Sequence, residues 1–151
     1  MEYTKTHLGK NTGEILQKEI LSAKESLLIS SPGISLFIGE KILKKSQNGI
    51  KTRIITSENG GADSQETNHL ALETLKKNNG HKFLEYKIIK SQKTELIHPK
   101  IYIIDNKCAI VGSANLTKNG FYNYVEFIQI FRDAEEIKII KNDFEKLWNL
   151  F

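Results

Sequence analysis

The chain has 151 residues, of which 39% are hydrophobic and 26% charged, with only 2 prolines, and this composition excludes a disordered or fibrous polymer and fits one globular domain with a core of its own. Lys and Arg number 22 against 18 Asp and Glu, a net charge of +4. That bias suits an anionic partner but is too small to mark nucleic-acid binding by itself.

Asn11 to Lys24 is predicted as a helix, with Asn11-x-x-Glu14 as its cap and Ile15, Leu16, Ile20 and Ala23 on one face. Leu27 to Ser31 reads as a short apolar strand ended by Pro32-Gly33. Ile34 to Gln47 is a second amphipathic helix, stopped at Asn48-Gly49, and Ile50 to Thr56 a second strand. A polar stretch, Ser57 to Gln65, precedes a third helix opened by Asp63-x-x-Glu66 and running through Lys77. Phe83 to Ile89 is a strand. Lys100 to Ile104 and Cys108 to Val111 are two more, around a tight turn at Asp105-Asn106. Tyr124 to Phe131 is the last strand, and Ala134 to Leu150 the closing helix, with Ile137, Ile140, Phe144, Leu147 and Trp148 inward. Strand and helix alternate in the first half, which favours parallel βαβ units, and the consecutive strands of the second half make the sheet mixed.

The single cysteine, Cys108, excludes an intramolecular disulfide and a Cys-based zinc site, and its apolar neighbours predict a buried, inert thiol. No His/Asp/Glu cluster shows metal-ligand spacing, so no metal and no other cofactor is expected. The first residues carry no apolar leader and no run has the length of a membrane span, so a cytoplasmic protein without stable membrane association is expected.

One stretch carries chemistry: His98-Pro99-Lys100-Ile101-Tyr102-Ile103-Ile104-Asp105-Asn106-Lys107-Cys108-Ala109-Ile110-Val111-Gly112-Ser113-Ala114-Asn115, or H-x-K-x4-D-x6-G-S-x-N. Side chains two apart on an extended segment share a face, with about 7 Å between their backbones, so His98 and Lys100 can reach one phosphate. Gly112 lets the backbone approach a ligand, and Ser113 and Asn115 offer a hydroxyl and an amide. Asp105 sits at a turn too far from Lys100 to share that phosphate, so an Asx-turn or a structural ion pair is expected of it.

The pattern resembles the signature of the phospholipase D superfamily, the HKD phosphodiesterases. The resemblance implies an α/β three-layer sandwich with a mixed, largely parallel central sheet, the whole of 1–151 forming one catalytic domain. It further implies that His98 attacks phosphorus to give a phosphohistidine while a second motif histidine protonates the leaving oxygen, a two-step displacement that suits a side chain titrating near neutrality. Lys100 and Asn115 would be catalytic partners, and Ser113, Gly112 and Lys118 would contact substrate. A glutamate after G-S-x-N commonly receives a hydrogen bond from the family's histidine, a role that falls here on Glu126. Only one motif is present, since His7, His69 and His81 lack a lysine at +2. The small single-motif members of the superfamily are bacterial endonucleases that work as dimers, so a two-fold homodimer with a shared site is expected.

Fold and motif do not choose the phosphodiester. The short, basic, single-motif chain favours a nonspecific endonuclease acting on DNA or RNA. A lipid enzyme, either phospholipase or phosphatidyltransferase, is the first alternative and needs an apolar surface next to Gly112. A non-catalytic nucleic-acid-binding module is the second. Two further features stay open at this level. Ser30-Ser31-Pro32 could sit beside the site, or Ser31 could cap the following helix. Lys90, Lys93, Lys107 and Lys118, with Phe121 and Tyr122 as stacking faces, could form a strand-tracking rim or a solvated surface.

Overall fold

The computed structural model describes residues 4–58, 65–90 and 97–151. Its elements, in chain order, are β1 (Lys5–Gly9), α1 (Thr12–Leu21), β2 (Ser26–Ser30), α2 (Leu36–Gln47), β3 (Lys51–Ser57), α3 (Gln65–Lys77), β4 (Leu84–Ile89), β5 (Ile101–Ile104), β6 (Cys108–Gly112), α4 (Lys118–Tyr122), β7 (Glu126–Phe131) and α5 (Ala134–Asn149). The predicted start of the third helix at Asp63 lies outside the described residues. The first helix stops at Leu21, short of Lys24, and Asn11 stands at its N-cap without a side-chain cap bond.

The sheet runs β1-β7-β6-β5-β2-β3-β4. It is mixed, as expected, and five of its seven strands point the same way. Their parallel pairing, however, is confined to β2–β3–β4, and the four other pairings are antiparallel. The cause is that β5 and β7 run against the rest and are interleaved with β6 and β1: a tight turn reverses the chain between β5 and β6, and the segment carrying α4 returns it antiparallel as β7.

Side chains along each central strand alternate between two cores. Leu27, Ile29, Ile54, Tyr102, Ile104 and Ile110 pack under the faces of α1 to α4, while Leu28, Ile55, Ile103 and Ala109 meet α5 on the other side. Three layers follow. α5 is anchored by Ile137, Phe144 and Trp148, each buried side chain contributing about 2 kcal/mol of transfer free energy. Its start is capped by Asp133, whose carboxylate accepts from the Glu135 and Glu136 N–H groups at 3.1 and 3.2 Å.

Two elements were not read from the sequence. β1 pairs antiparallel with β7, and its Leu8 is 76% exposed, so it carries no inward apolar stripe to reveal it. α4 is a five-residue helix whose N-cap Thr117 accepts from the Gly120 N–H at 3.1 Å. It lies so close to α1 that a Cβ on Gly13 would overlap the Phe121 backbone. Cys108 is buried as expected. Burial and the neighbouring Glu19 push its thiol up to about 11, against the opposing charge of Arg132.

The β5–β6 hairpin turns at Asp105 and Asn106, both in the left-handed region (φ 54° and 53°), with the Lys107 N–H closing onto the Ile104 carbonyl at 2.9 Å. Asp105 is neither an Asx-turn acceptor nor primarily an ion pair. Its carboxylate accepts from the backbone N–H groups of Lys24 (3.0 Å), Glu25 (2.7 Å) and Ser26 (2.9 Å), which tie the turn to the start of β2. Burial works to raise its pKa. The three amides, helped by Lys107, outweigh burial and hold the carboxyl below its usual value.

A folded-state pKa below the unfolded one adds stability that is present above the unfolded value and is lost as pH falls through the folded one. Asp105→Asn keeps a residue that tolerates positive φ but removes the charge. It should cost about 1–2 kcal/mol in denaturant unfolding at pH 7, and the gap from the native chain should close below pH 4. An equal gap at both pH values would show that the charge is not what the amides hold.

Candidate active site

The hairpin explains why the motif works at its spacing. Ile101 is registered against Val111, so the residues just before β5 lie beside those just after it on β6. His98 and Lys100 on one arm therefore meet Gly112, Ser113 and Asn115 on the other. With Pro99 and Phe127 they line one open cleft of about 710 Å³.

Lys100 folds back so that its Nζ donates to the His98 carbonyl at 2.9 Å and stands 3.3 Å from His98 Nε2. The two head groups are thus close enough to engage one phosphate. Lys100 is only 9% exposed. Burial lowers its pKa, and the charge of Glu126 partly restores it.

Gly112 is required by space. A Cβ there would strike the Phe127 carbonyl oxygen and come within 2.8 Å of the Ile128 Cα. That close approach lets Ser113 bridge to β7. Its N–H donates to the Phe127 carbonyl at 2.9 Å, and its Oγ accepts from the Phe127 N–H at 3.0 Å. Ser113 Oγ also donates to Glu126 Oε2.

Glu126 is buried at the start of β7, as a strand-embedded carboxylate with a partner should be, but that partner is Ser113 and not His98. The expected His98–Glu126 hydrogen bond is absent because the Ser113 hydroxyl lies on the same β6–β7 ladder as Glu126, whereas His98 lies beyond β5. Asn115 lines the cleft with its Oδ1 buried and without a hydrogen-bond partner among the described residues. Buried polar atoms are normally paired, so this acceptor suits a ligand or a second chain.

Lys118 does not line the cleft. Its side chain is exposed, and its backbone N–H donates to Ser35 Oγ at 2.9 Å. Of the residues left open as a strand-tracking rim or a solvated surface, those described favour the latter. Phe121 is fully buried, Lys107 pairs with Glu25 (3.8 Å) at the far end of the hairpin, and Lys93 lies outside the described residues.

Three supporting residues carry the cleft walls. Ser30 Oγ donates to the Pro99 carbonyl at 2.7 Å, which fixes the residue between His98 and Lys100. The Tyr102 hydroxyl donates to the Ala114 carbonyl at 2.7 Å, which fixes the residue between Ser113 and Asn115. Burial keeps that phenol protonated far above its usual range. Ser31 Oγ accepts from the Leu116 N–H at 3.0 Å, so Ser31 braces the loop and does not cap α2, whose N-cap is Ser35. The Ser30-Ser31 pair was visible in the sequence. Tyr102 was read as strand core, and nothing in its spacing signalled a hydroxyl contact twelve residues away.

Among the described residues no group of three or more His, Cys, Asp or Glu side chains could hold a metal ion. No described helix is long and apolar enough to cross a membrane.

Comparison with known proteins agrees with this arrangement. Mitochondrial cardiolipin hydrolase of Canis lupus familiaris is 26% identical over 148 residues, covering 95% of this chain and 53% of that protein. The chain thus spans about half the length of the curated relatives it matches. Among solved structures, NucT from Helicobacter pylori superposes with a TM-score of 0.74 at 24% identity, covering 97% of each chain. The phospholipase D family member Nuc from Salmonella typhimurium gives 0.71 at 19% identity, covering 97% of this chain and 95% of that one. The family model described as "Cardiolipin synthase, PLD-like domain" matches residues 16–148, nearly the whole fold and the entire His98–Asn115 hairpin, and the chain belongs to this phospholipase D-like family.

Proposed function

We propose that the chain is a phosphodiesterase that cleaves nucleic acid through His98, in a site completed by a second copy of itself. The observation that carries this reading is the 3.3 Å approach of His98 Nε2 and Lys100 Nζ in an open cleft walled by Ser113 and Asn115.

The chemistry follows from those groups. His98 Nε2 attacks phosphorus, the P–N bond forms, and the P–O bond to the leaving oxygen breaks. The partner copy's histidine supplies the proton to that oxygen. Water then attacks phosphorus, the same histidine takes its proton, and the P–N bond breaks to return free His98. Lys100 and the Asn115 amide stabilise charge on the phosphoryl oxygens. A desolvated ammonium such as Lys100 gains more from an incoming phosphate than a hydrated one would. Nucleophile, proton donor and cation are all side chains, so the scheme needs no metal.

A single copy holds one nucleophile and no second motif histidine. The rim of the cleft also carries apolar surface that suits a second copy. Leu8 and Phe127 face each other across β1 and β7, both exposed, and Phe127 (41% exposed) lines the cleft. The same patch favours a second reading. The lipid alternative needs apolar surface beside Gly112, and Phe127 supplies it. The name cardiolipin hydrolase, borne by a relative, points the same way. Nucleic acid is preferred because the chain is basic and its motif and fold resemble those of the superfamily's small endonucleases.

Nicking of supercoiled plasmid and of a labelled single-strand oligonucleotide in excess EDTA is expected to proceed with the native chain. It should fall by about 10³-fold or more with His98→Ala, the scale seen when a nucleophile is removed. Cleavage by His98→Ala, or cleavage of cardiolipin vesicles with both polynucleotides left intact, overturns the reading.

Sedimentation at micromolar concentration should show a dimer. Phe127→Glu should give a folded monomer without activity, and a fully active monomer would end the composite site.

Lys100→Met should abolish turnover yet raise unfolding stability by about 1 kcal/mol, because an apolar side chain of similar length escapes the cost of desolvating a cation. The sign with pH is also set. The folded pKa of Lys100 lies below 10.5, so the unfolded chain binds the extra proton, and the native chain should recover stability relative to Lys100→Met as pH rises through that interval. A destabilised Lys100→Met would mean that the ammonium is held for the fold and not for substrate.

A further inference from the structure

At the opposite end of the sheet from His98, the starts of β2, β3 and β4 open beneath α5 into a second cavity of about 500 Å³. No residue lines both this cavity and the cleft. The two are joined by β2. Ser26 at its start lines the cavity, and Ser30 at its end holds Pro99, roughly 13 Å away along the strand.

Four cationic side chains line the cavity, Lys51, Arg53, Lys82 and Lys141, against the carboxylates of Glu85 and Glu145. Glu145 is engaged by Arg53 at 2.6 Å. Positive charge gathered in a concave wall focuses potential on the space in front of it, and an anion entering that space relieves the mutual repulsion.

Arg53 is also pre-positioned. Its guanidinium lies 4.2 Å from the ring centroid of Trp148 and 5.7 Å from that of Phe144, besides its ion pair with Glu145. A guanidinium has five N–H donors, and the Glu145 bond comes from Nη1 alone, so a rigidly held fork remains for a phosphate. Phe83 adds an aromatic surface in the same wall, with Lys82 Nζ 5.4 Å from its ring centroid. A cation cluster with an adjoining aromatic face recognises a phosphate joined to a heterocycle. Stacking a base on an aromatic side chain adds affinity beyond the phosphate contacts and tolerates any base. The volume lies within the usual range for small-ligand sites, about 300–1,000 Å³.

We infer that this cavity is a second ligand site, separate from the catalytic cleft, that binds a nucleotide unit with its phosphate on Arg53, Lys51 and Lys141 and its base against Phe83. A free nucleotide and the terminal residue of a nucleic-acid strand share that chemistry. The site stands whether the cleft hydrolyses nucleic acid or lipid.

The chain's one tryptophan, Trp148, is in contact with Arg53 and reports on the site. Adenosine monophosphate, inorganic phosphate and a short oligothymidylate would be titrated into the full chain carrying His98→Ala, with tryptophan emission and calorimetric heat read together. Saturable binding of the nucleotide is expected, weakened about tenfold or more by Lys51→Glu with Lys141→Glu, a loss of at least 1.4 kcal/mol. Phe83→Leu should weaken the nucleotide several-fold and leave phosphate unchanged. Displacement of the nucleotide by the oligothymidylate would identify a strand terminus as the ligand, and its failure to displace would identify a free nucleotide. No saturable signal by either readout up to about 1 mM, near the −4 kcal/mol floor of useful affinity, overturns the inference. An affinity untouched by the paired lysine changes does so as well.

Discussion

The acceptance of three backbone N–H groups by the Asp105 carboxylate is the contact on which the site's geometry depends. The reactive groups lie on the two arms of one hairpin, and a hairpin's register is a matter of single residues. A slip of one position would turn every side chain of β5 and β6 to the opposite face and separate His98 and Lys100 from Ser113 and Asn115. Two left-handed residues at the turn restrict the hairpin to one geometry, and the Lys24, Glu25 and Ser26 amides pin that turn to the first core strand. The aspartate bears on the position of His98 from the far end of the strands, through the register of the hairpin and not through contact with the cleft.

The near end of the hairpin shows the opposite economy. There the fold tolerates groups that cost stability: a buried lysine, a buried glutamate and an amide oxygen without a partner among the described residues. Glu126 offsets part of the Lys100 desolvation through its charge while accepting no hydrogen bond from His98, and the Ser113 hydroxyl donates to the buried carboxylate. These arrangements suit a cavity that receives an anion: the lysine is largely buried beside His98, and the walls are held by Ser30 and Tyr102 hydroxyls on either side. Because those two hydroxyls grip the residues between His98 and Lys100 and between Ser113 and Asn115, the loops have little freedom left to lose when a ligand binds.

Much of this was legible in the chain. The motif is local in sequence and in space, since both of its halves belong to one hairpin, so spacing alone placed His98, Lys100, Gly112, Ser113 and Asn115 together. The inward face of α5 was likewise visible in its apolar periodicity, while the three layers followed from the resemblance to the family. What the sequence hid was set by long-range contact. β1 is polar and gains its strand geometry only by pairing with β7, and α4 is shorter than any helical period can show. The hydrogen bond of Glu126 depends on which strand flanks β6, a fact of topology that no spacing carries. The same holds for the lysines. Lys90, Lys107 and Lys118, near the motif in sequence, are scattered and exposed, and the ones that converge, from β3, the loop before β4 and α5, are distant in the chain.

The order of the sheet separates these duties. Its antiparallel half ends in β7 and β1, where Leu8 and Phe127 bring apolar surface to the mouth of the cleft. Its parallel half begins with the strand starts that gather Lys51 and Arg53 beneath α5. β2 stands between the halves as the only strand paired on one side in parallel and on the other antiparallel among the described strands. Its first residue receives the Asp105 anchor and its last holds Pro99. A strand buried on both faces and paired on both edges is the stiffest element available to a domain of this size. Anchoring the turn at one end of it and the His98–Lys100 segment at the other converts that stiffness into the fixed approach of His98 and Lys100.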